Sequence, residues 1–233
     1  MILALNTSTL QFGLALLEED GNIRAEYFMS KGKGHFGSLM PALDFLVTSS
    51  KSDIHDLEGI IVAMGPGSFT GLRVGLSTAK GLSHGLEVPI IGVSSLEAMA
   101  YQLSYSGFPV ISVLDSRKYE FFAARFIWGD DHALVRNGKD VCLKVEDLSS
   151  LCKEPALFVG NDFTGQGSLI KEMLGPRAIL APAHLWNPKA SAVGILGLKR
   201  FHARNFDDSQ QLSPIYMRPP GIRPNPSPVT GDI

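Results

Sequence analysis

The sequence predicts an α/β protein made of two related halves. Three observations lead there. The chain opens with three short apolar runs, residues 2–5, 12–17 and 23–29, separated by polar turns, as in a meander of hairpins. The period then changes: Phe36, Leu39, Met40, Leu43, Leu46 and Val47 follow i, i+3, i+4, i+7 spacing, one apolar face of a helix. After about residue 105 a similar succession of strand-like and helix-like stretches begins again.

The elements follow in order. Ser38 is placed to cap the first helix, with Pro41 in the first turn, where a missing N–H is harmless. Residues 59–64 form a continuous apolar run, as in a buried strand. Gly65-Pro66-Gly67 makes a turn, and Ser68 begins a second helix reaching about Gly85. Residues 89–93 read as a strand, with Ser94 or Ser95 capping a third helix. The second half offers strands at 110–114, 120–128 and 156–159, the polar turn Asp115-Ser116-Arg117-Lys118, and helices near 167–174 and 190–203. This gives two subdomains, 1–104 and 105–220. A tail, 221–233, belongs to a proline-rich stretch from residue 219 with almost no apolar periodicity, expected to be an extended or mobile arm.

Composition narrows the function classes. The chain has 233 residues, 45% of them hydrophobic and 19% charged, which suits a substantial core. The formal net charge is −2, with Lys and Arg scattered, so a solitary grip on RNA is not expected. Cys142 and Cys152 make neither a disulfide framework nor a zinc site, and sparse free cysteine suits a reducing cytoplasm. The N-terminus lacks a basic leader, and no window approaches the ~18 apolar residues of a membrane span.

The most informative stretch is GPGSFTGLRVGLSTAKGLSHG, residues 65–85. Each glycine inside a helix costs about 1 kcal/mol relative to alanine, so an interaction must compensate. Gly71 and Gly75 are four apart, with Ser68, Thr78 and Ala79 on the same side, a strip that another helix can approach closely. Three readings stand in this order: tight packing on the chain's own sheet, contact with a partner helix, and phosphate binding at the helix start. The spacing fits neither a P-loop nor G-x-G-x-x-G.

GPGSFTGLRVGLSTAKGL resembles the signature of the TsaB family, also called YeaZ. The opening ILALNTST, His35 with Leu39-Met40-Pro41, IIGVSSLEAMA, Asp115-Ser116-Arg117 with Glu120, and LSPIYMRPP are similar to further family segments. The likeness covers nearly the whole chain to about Pro220. It implies the actin/hsp70/sugar-kinase superfamily fold. It also implies a subunit of the bacterial tRNA threonylcarbamoyladenosine-forming complex, paired with a TsaD-like catalytic subunit and a TsaE-like ATPase. tRNA would be reached only through the complex, and the chain could be a homodimer when alone. The expected partner surface comprises His35, Phe36, Leu39, Met40, Leu43, Ser68, Gly71, Leu72, Gly75, Thr78 and Ala79.

The same resemblance points to a chain without chemistry of its own. Catalytic relatives carry a metal-binding H-x-x-x-H, and Ser95 and Met99 stand where those histidines would be; a hydroxyl and a thioether are poor ligands for such an ion. Relatives commonly have Asp where this chain has Asn6. Asp115 and Glu120 form a possible acid pair, read first as a strand-end turn tied to Arg117. The six histidines (His35, His55, His84, His132, His184, His202) make no close pair at metal spacing. No catalytic, cofactor or metal residues are assigned. Two alternatives are a free-standing ATP-dependent phosphotransferase of the same fold and a glycoprotease-like peptidase.

Overall fold

The computed structural model describes residues 1–29, 35–116, 120–186 and 188–218. The elements are β1 (Ile2–Asn6), β2 (Phe12–Leu17), β3 (Ile23–Met29), α1 (Leu39–Ser49), β4 (Gly59–Gly65), α2 (Phe69–Leu86), β5 (Ile90–Ser94) and α3 (Ser95–Tyr101). Then come β6 (Val110–Asp115), β7 (Glu120–Trp128), β8 (Leu134–Arg136), β9 (Val141–Lys144), β10 (Ala156–Val159), α4 (Gly165–Leu174), β11 (Ala178–Leu180) and α5 (Ala190–His202). The arm expected after residue 219 lies outside the described residues, as do Arg117 and Lys118. Among the described residues no helix is long and apolar enough to cross a membrane.

The two halves repeat one plan. The first sheet runs β3-β2-β1-β4-β5, and the second runs β11-β10-β6-β7-β8 with β9 also on β7. In the first, β1 pairs antiparallel with β2 and parallel with β4; in the second, β6 pairs antiparallel with β7 and parallel with β10. Helices α1, α2 and α4 lie in the crossovers β1–β4, β4–β5 and β10–β11, while the β6–β10 connection carries only a 3-10 turn at residues 145–150. The short β8, β9 and β11 were not foreseen. Their three or four residues, alternately half-buried and exposed in β8 and β9, give little signal.

Alternation on the first sheet sorts its two faces. Leu3, Leu5, Leu14, Leu16, Ile60 and Val62 form one core with Leu39, Leu43 and Leu46 of α1 and Leu76 and Ala79 of α2. Ala4, Ala15 and Leu17 face Ala190 of α5 on the other side. The sequence assigns residues 105–220 to a second subdomain, yet α5 packs on β1, β2, β4 and β5 of the first. Small residues permit it: a Cβ at Gly194 would sit 2.5 Å from Leu17 Cδ1 and 3.0 Å from Ala4 Cβ. Helix α3 links the halves, because Leu96, Met99, Ala100 and Leu103 join the core of the second sheet.

Capping follows the sequence in part. Ser68 Oγ accepts from Gly71 N–H at 3.2 Å, and Ser94 Oγ accepts from Glu97 N–H at 3.4 Å. Ser38 holds the cap position of α1, but its hydroxyl makes no cap bond, with a backbone away from the extended cap geometry (φ −89°, ψ 0°).

Beyond α5, Asp207 ties the chain back. Its carboxylate takes Arg200 Nη2 at 2.8 Å and Gly92 N–H at 2.8 Å. Partial burial pushes this carboxyl up, but the Arg200 guanidinium and the Gly92 N–H outweigh it and hold it below its ordinary value.

Two predictions follow from this packing. Gly194→Val should destabilise the fold by about 1–3 kcal/mol, because the added atoms press on Leu17 and Ala4; unfolding in urea measures it, and a wild-type midpoint would contradict the close approach. Asp207, with its folded value depressed, stabilises above the unfolded carboxylate value of about 3.9, and that contribution is lost as pH falls through the folded value. Asp207→Asn should therefore melt lower than wild type at pH 7, with the gap closing in acid. A gap independent of pH would rule out the ionised carboxylate as its cause.

Candidate functional site

Two features stand out: a cleft between the halves and the outward face of α1 and α2. The cleft, of about 620 Å3, is lined by Ser8, Thr9 and Leu10 from the β1–β2 turn and by Gly67 to Thr70 at the start of α2. Leu114 to Ser116, Phe122 and Asn161 line it from the second half, and Ile215 to Arg218 complete it. It lies beyond the carboxyl ends of β1, β4, β6 and β10, where open α/β sheets place their crevices.

The walls are held from within. Asn6 is buried, and its Oδ1 accepts from Ser8 N–H at 3.1 Å and Ser8 Oγ–H at 2.7 Å, closing the β1–β2 turn. Ser68 N–H donates to the Ser8 carbonyl at 2.6 Å. A Cβ at Gly67 would collide with that same carbonyl. Ser95 is fully buried, and its hydroxyl accepts from Gly65 N–H at 3.1 Å. Met99 is fully buried in the core of the second sheet. Both positions therefore have structural work in this chain.

Among the described residues the cleft's lining is hydroxyl-rich, with Asp115 and Arg218 its ionisable groups. Asp115 is exposed, and Glu120 is ion-paired with Arg218. Ser116 N–H donates to the Glu120 carbonyl at 2.9 Å, tying the end of β6 to the start of β7. Among the described residues no histidine or cysteine lines the cleft. Among the described residues no three His, Cys, Asp or Glu side chains converge as a metal site would need. The phosphate reading also weakens, because the N–H groups of Ser68 and Gly71 are already committed.

The sequence-predicted partner residues do not share one surface. Leu39, Leu43, Gly71, Leu72, Gly75 and Ala79 are buried in this chain. Ser68 and Thr78 are half-buried, and Met40 is exposed. The side chains of His35 and Phe36 lie outside the description. Gly75 is the clearest correction: a Cβ there would fall on the Thr7 hydroxyl, so this glycine serves internal packing. The first of the three readings of the glycine strip thus holds for it.

The outward face of α2 carries Thr70, Arg73, Ser77, Gly81, His84 and Gly85. A Cβ at Gly81 or Gly85 would meet nothing within 4 Å. On α1, Met40 is 52% and Phe45 62% exposed. The signal was present in the sequence: the inward positions Leu72, Leu76 and Ala79 leave 77, 81 and 85 on the far side of a 3.6-residue turn.

The Gly75 contact can be tested as a pair. Gly75→Ala should cost about 1–3 kcal/mol, and adding Thr7→Ala should recover most of it. Strict additivity in this double-mutant cycle would mean that the two residues do not touch.

A family model described as TsaD, tRNA N6-adenosine threonylcarbamoyltransferase, matches residues 25–201. The tRNA threonylcarbamoyladenosine biosynthesis protein TsaB of Bacillus subtilis is 33% identical over 220 residues, covering 93% of each chain. TsaB of Escherichia coli is 31% identical over 157 residues, 64% of this chain and 67% of its own. YeaZ from Pseudomonas aeruginosa superposes with a TM-score of 0.74 at 22% identity, over 93% of this chain and 99% of its own. An activator of 2-hydroxyisocaproyl-CoA dehydratase from Clostridium difficile, with bound ADPNP, superposes at 0.53 and 11% identity, over 92% and 99%. The two superpositions speak for the fold alone, which is the actin-like α/β arrangement of two related halves. With a full-length relative at this identity, the chain belongs to the TsaB family of tRNA threonylcarbamoyladenosine biosynthesis proteins.

Proposed function

We propose that this chain is a non-catalytic scaffold and activator in tRNA threonylcarbamoyladenosine formation. It works by pairing with a TsaD-like catalytic subunit, with a TsaE-like ATPase joining the assembly and tRNA reached through the complex. A tRNA substrate sets this work in the cytoplasm. The observation that carries the reading is the outward face of α1 and α2. Two helices lie on one face of the same sheet, with Met40 and Phe45 exposed on one and Ser77, Gly81 and Gly85 on the other. Exposed Met40 on α1 and the low, small-residue ridge on α2 suit the close approach of partner helices, while the Phe45 ring meets Tyr27 of β3 edge-on. A scattered, slightly acidic charge gives no independent grip on RNA. The same face could serve a second copy of this chain when the partner is absent, since a two-fold contact needs one self-complementary patch.

Gly81→Leu separates folding from association. Open space surrounds Gly81, and leucine is the better helix former by roughly 0.5–1 kcal/mol, so the variant alone should melt at or slightly above the wild-type temperature. Its binding to the TsaD-like subunit should weaken by at least about 2 kcal/mol if the ridge is central to the contact. Calorimetric titration and melting of the same sample measure both. Normal binding would move the interface off this face. Failure of the wild-type chain to bind at all, with tRNA modification unchanged in its absence, would remove the subunit reading itself.

A further inference from the structure

The segment after α5 is firmly anchored at its start and lightly held at its end. Asp207 is fixed by Arg200 and Gly92, and Leu212 is buried in the first core. Ile215 N–H then donates to the Met64 carbonyl at 2.8 Å, beside the turn into α2. Tyr216 lies against Phe69 with ring centroids 5.2 Å apart, and its hydroxyl accepts from Arg73 Nε at 3.0 Å. Arg73 itself sits 3.8 Å over the Phe69 ring. Met217 packs against the core of the second sheet, and Arg218 forms its ion pair with Glu120 at the start of β7. Within four residues the chain crosses from one half to the other, and those same four residues line the cleft.

The contacts on the two sides of the molecule differ in kind. Opposite chemistry joins the halves at α3, where buried Leu96, Met99 and Ala100, with Leu103 just beyond, sit in the second core while Ala98 packs with Ile61, Ile91 and Val93 on the α5 face of the first sheet. Buried apolar packing is insensitive to salt and slow to part. At the cleft the joints are exposed: Tyr216 is 41% accessible, and the Arg218 side chain 44%. Water competes readily for such groups, and salt screens the ion pair. Gln11 Nε2 also reaches across to the Asn161 carbonyl, at a long 3.3 Å.

From this arrangement we infer that residues 215–218 are a latch. Anchored upstream at Asp207 and Leu212, the latch holds the two halves together across the cleft. Its release lets the cleft open about α3. Tyr216 is its footing on the first half and Arg218 its catch on the second. The device works within the free chain and does not depend on the proposed partner.

Hydrogen exchange read by mass spectrometry on the full chain tests it. The variants are Tyr216→Ala, Arg218→Gln and, from the other side of the catch, Glu120→Gln. Each should speed exchange at least fivefold in the cleft turns at residues 8–11 and 160–164, while β1 and β4 keep wild-type protection. Arg218→Gln and Glu120→Gln should match one another, and combining them should add nothing, because they remove the same contact. Wild-type chain in molar salt should move in the same direction. Unchanged turns in all three variants would overturn the latch. So would faster exchange throughout β1 and β4, which would make the segment a staple of the whole fold.

Discussion

The first half depends on a close approach that only glycine allows. Gly67 meets the carbonyl of Ser8, and Gly75 meets the hydroxyl of Thr7. Through these two contacts α2 is pressed onto the turn that leaves β1. Ser68 donates into the same carbonyl, and Ser95 secures Gly65 from the side of α3. Three segments distant in sequence thus converge on the end of one strand. The arrangement has a cost: Thr7 Oγ1 and Asn6 Nδ2 are buried without a hydrogen-bond partner in the described structure. Each such group costs about 1–3 kcal/mol, which the surrounding packing must offset. What results is an α2 whose inward face is used in packing and whose outward face is left to solvent.

The two halves share a plan but not a surface. Where the first half places α1 between β3 and β4, the second has only the short 3-10 turn of residues 145–150 between β9 and β10. Among the described residues, α1 therefore has no α-helical counterpart in the second half. Repetition of the plan gives the molecule its cleft, since equivalent turns from each half face one another there. The difference between the halves gives it the helical face on which the proposed pairing rests.

Much of this was legible in the sequence, and the failures have physical causes. The continuous apolar runs of β1, β2, β4 and β6 announced themselves because both faces of those strands are covered. The short β8, β9 and β11 did not, because edge strands need little apolar area. Glycine spacing located α2 and its cap but not the direction of its stripe. Gly71 and Gly75 share a four-residue interval with Gly81 and Gly85, and only the intervening leucines distinguish inside from outside. Nor could local patterns show that α5, an ordinary apolar helix by period, crosses back to cover Ala4 and Ala15. That contact is long in sequence and set by topology.

The return of α5 has a consequence for the way this protein is made. The strand face that it covers belongs to the very start of the chain, while α5 begins at residue 190. From the end of β5 at residue 94, at about 5–20 residues per second, a ribosome needs on the order of 5–20 s to reach α5. Throughout that interval the newborn first sheet carries one uncovered apolar face, although the strands and both helices of its other face have already been synthesised. The second half is translated and free to fold before the first is complete. A nascent chain stalled short of residue 190 keeps its sticky face permanently, which makes the last helix, rather than the first sheet, the step that commits the molecule to solubility.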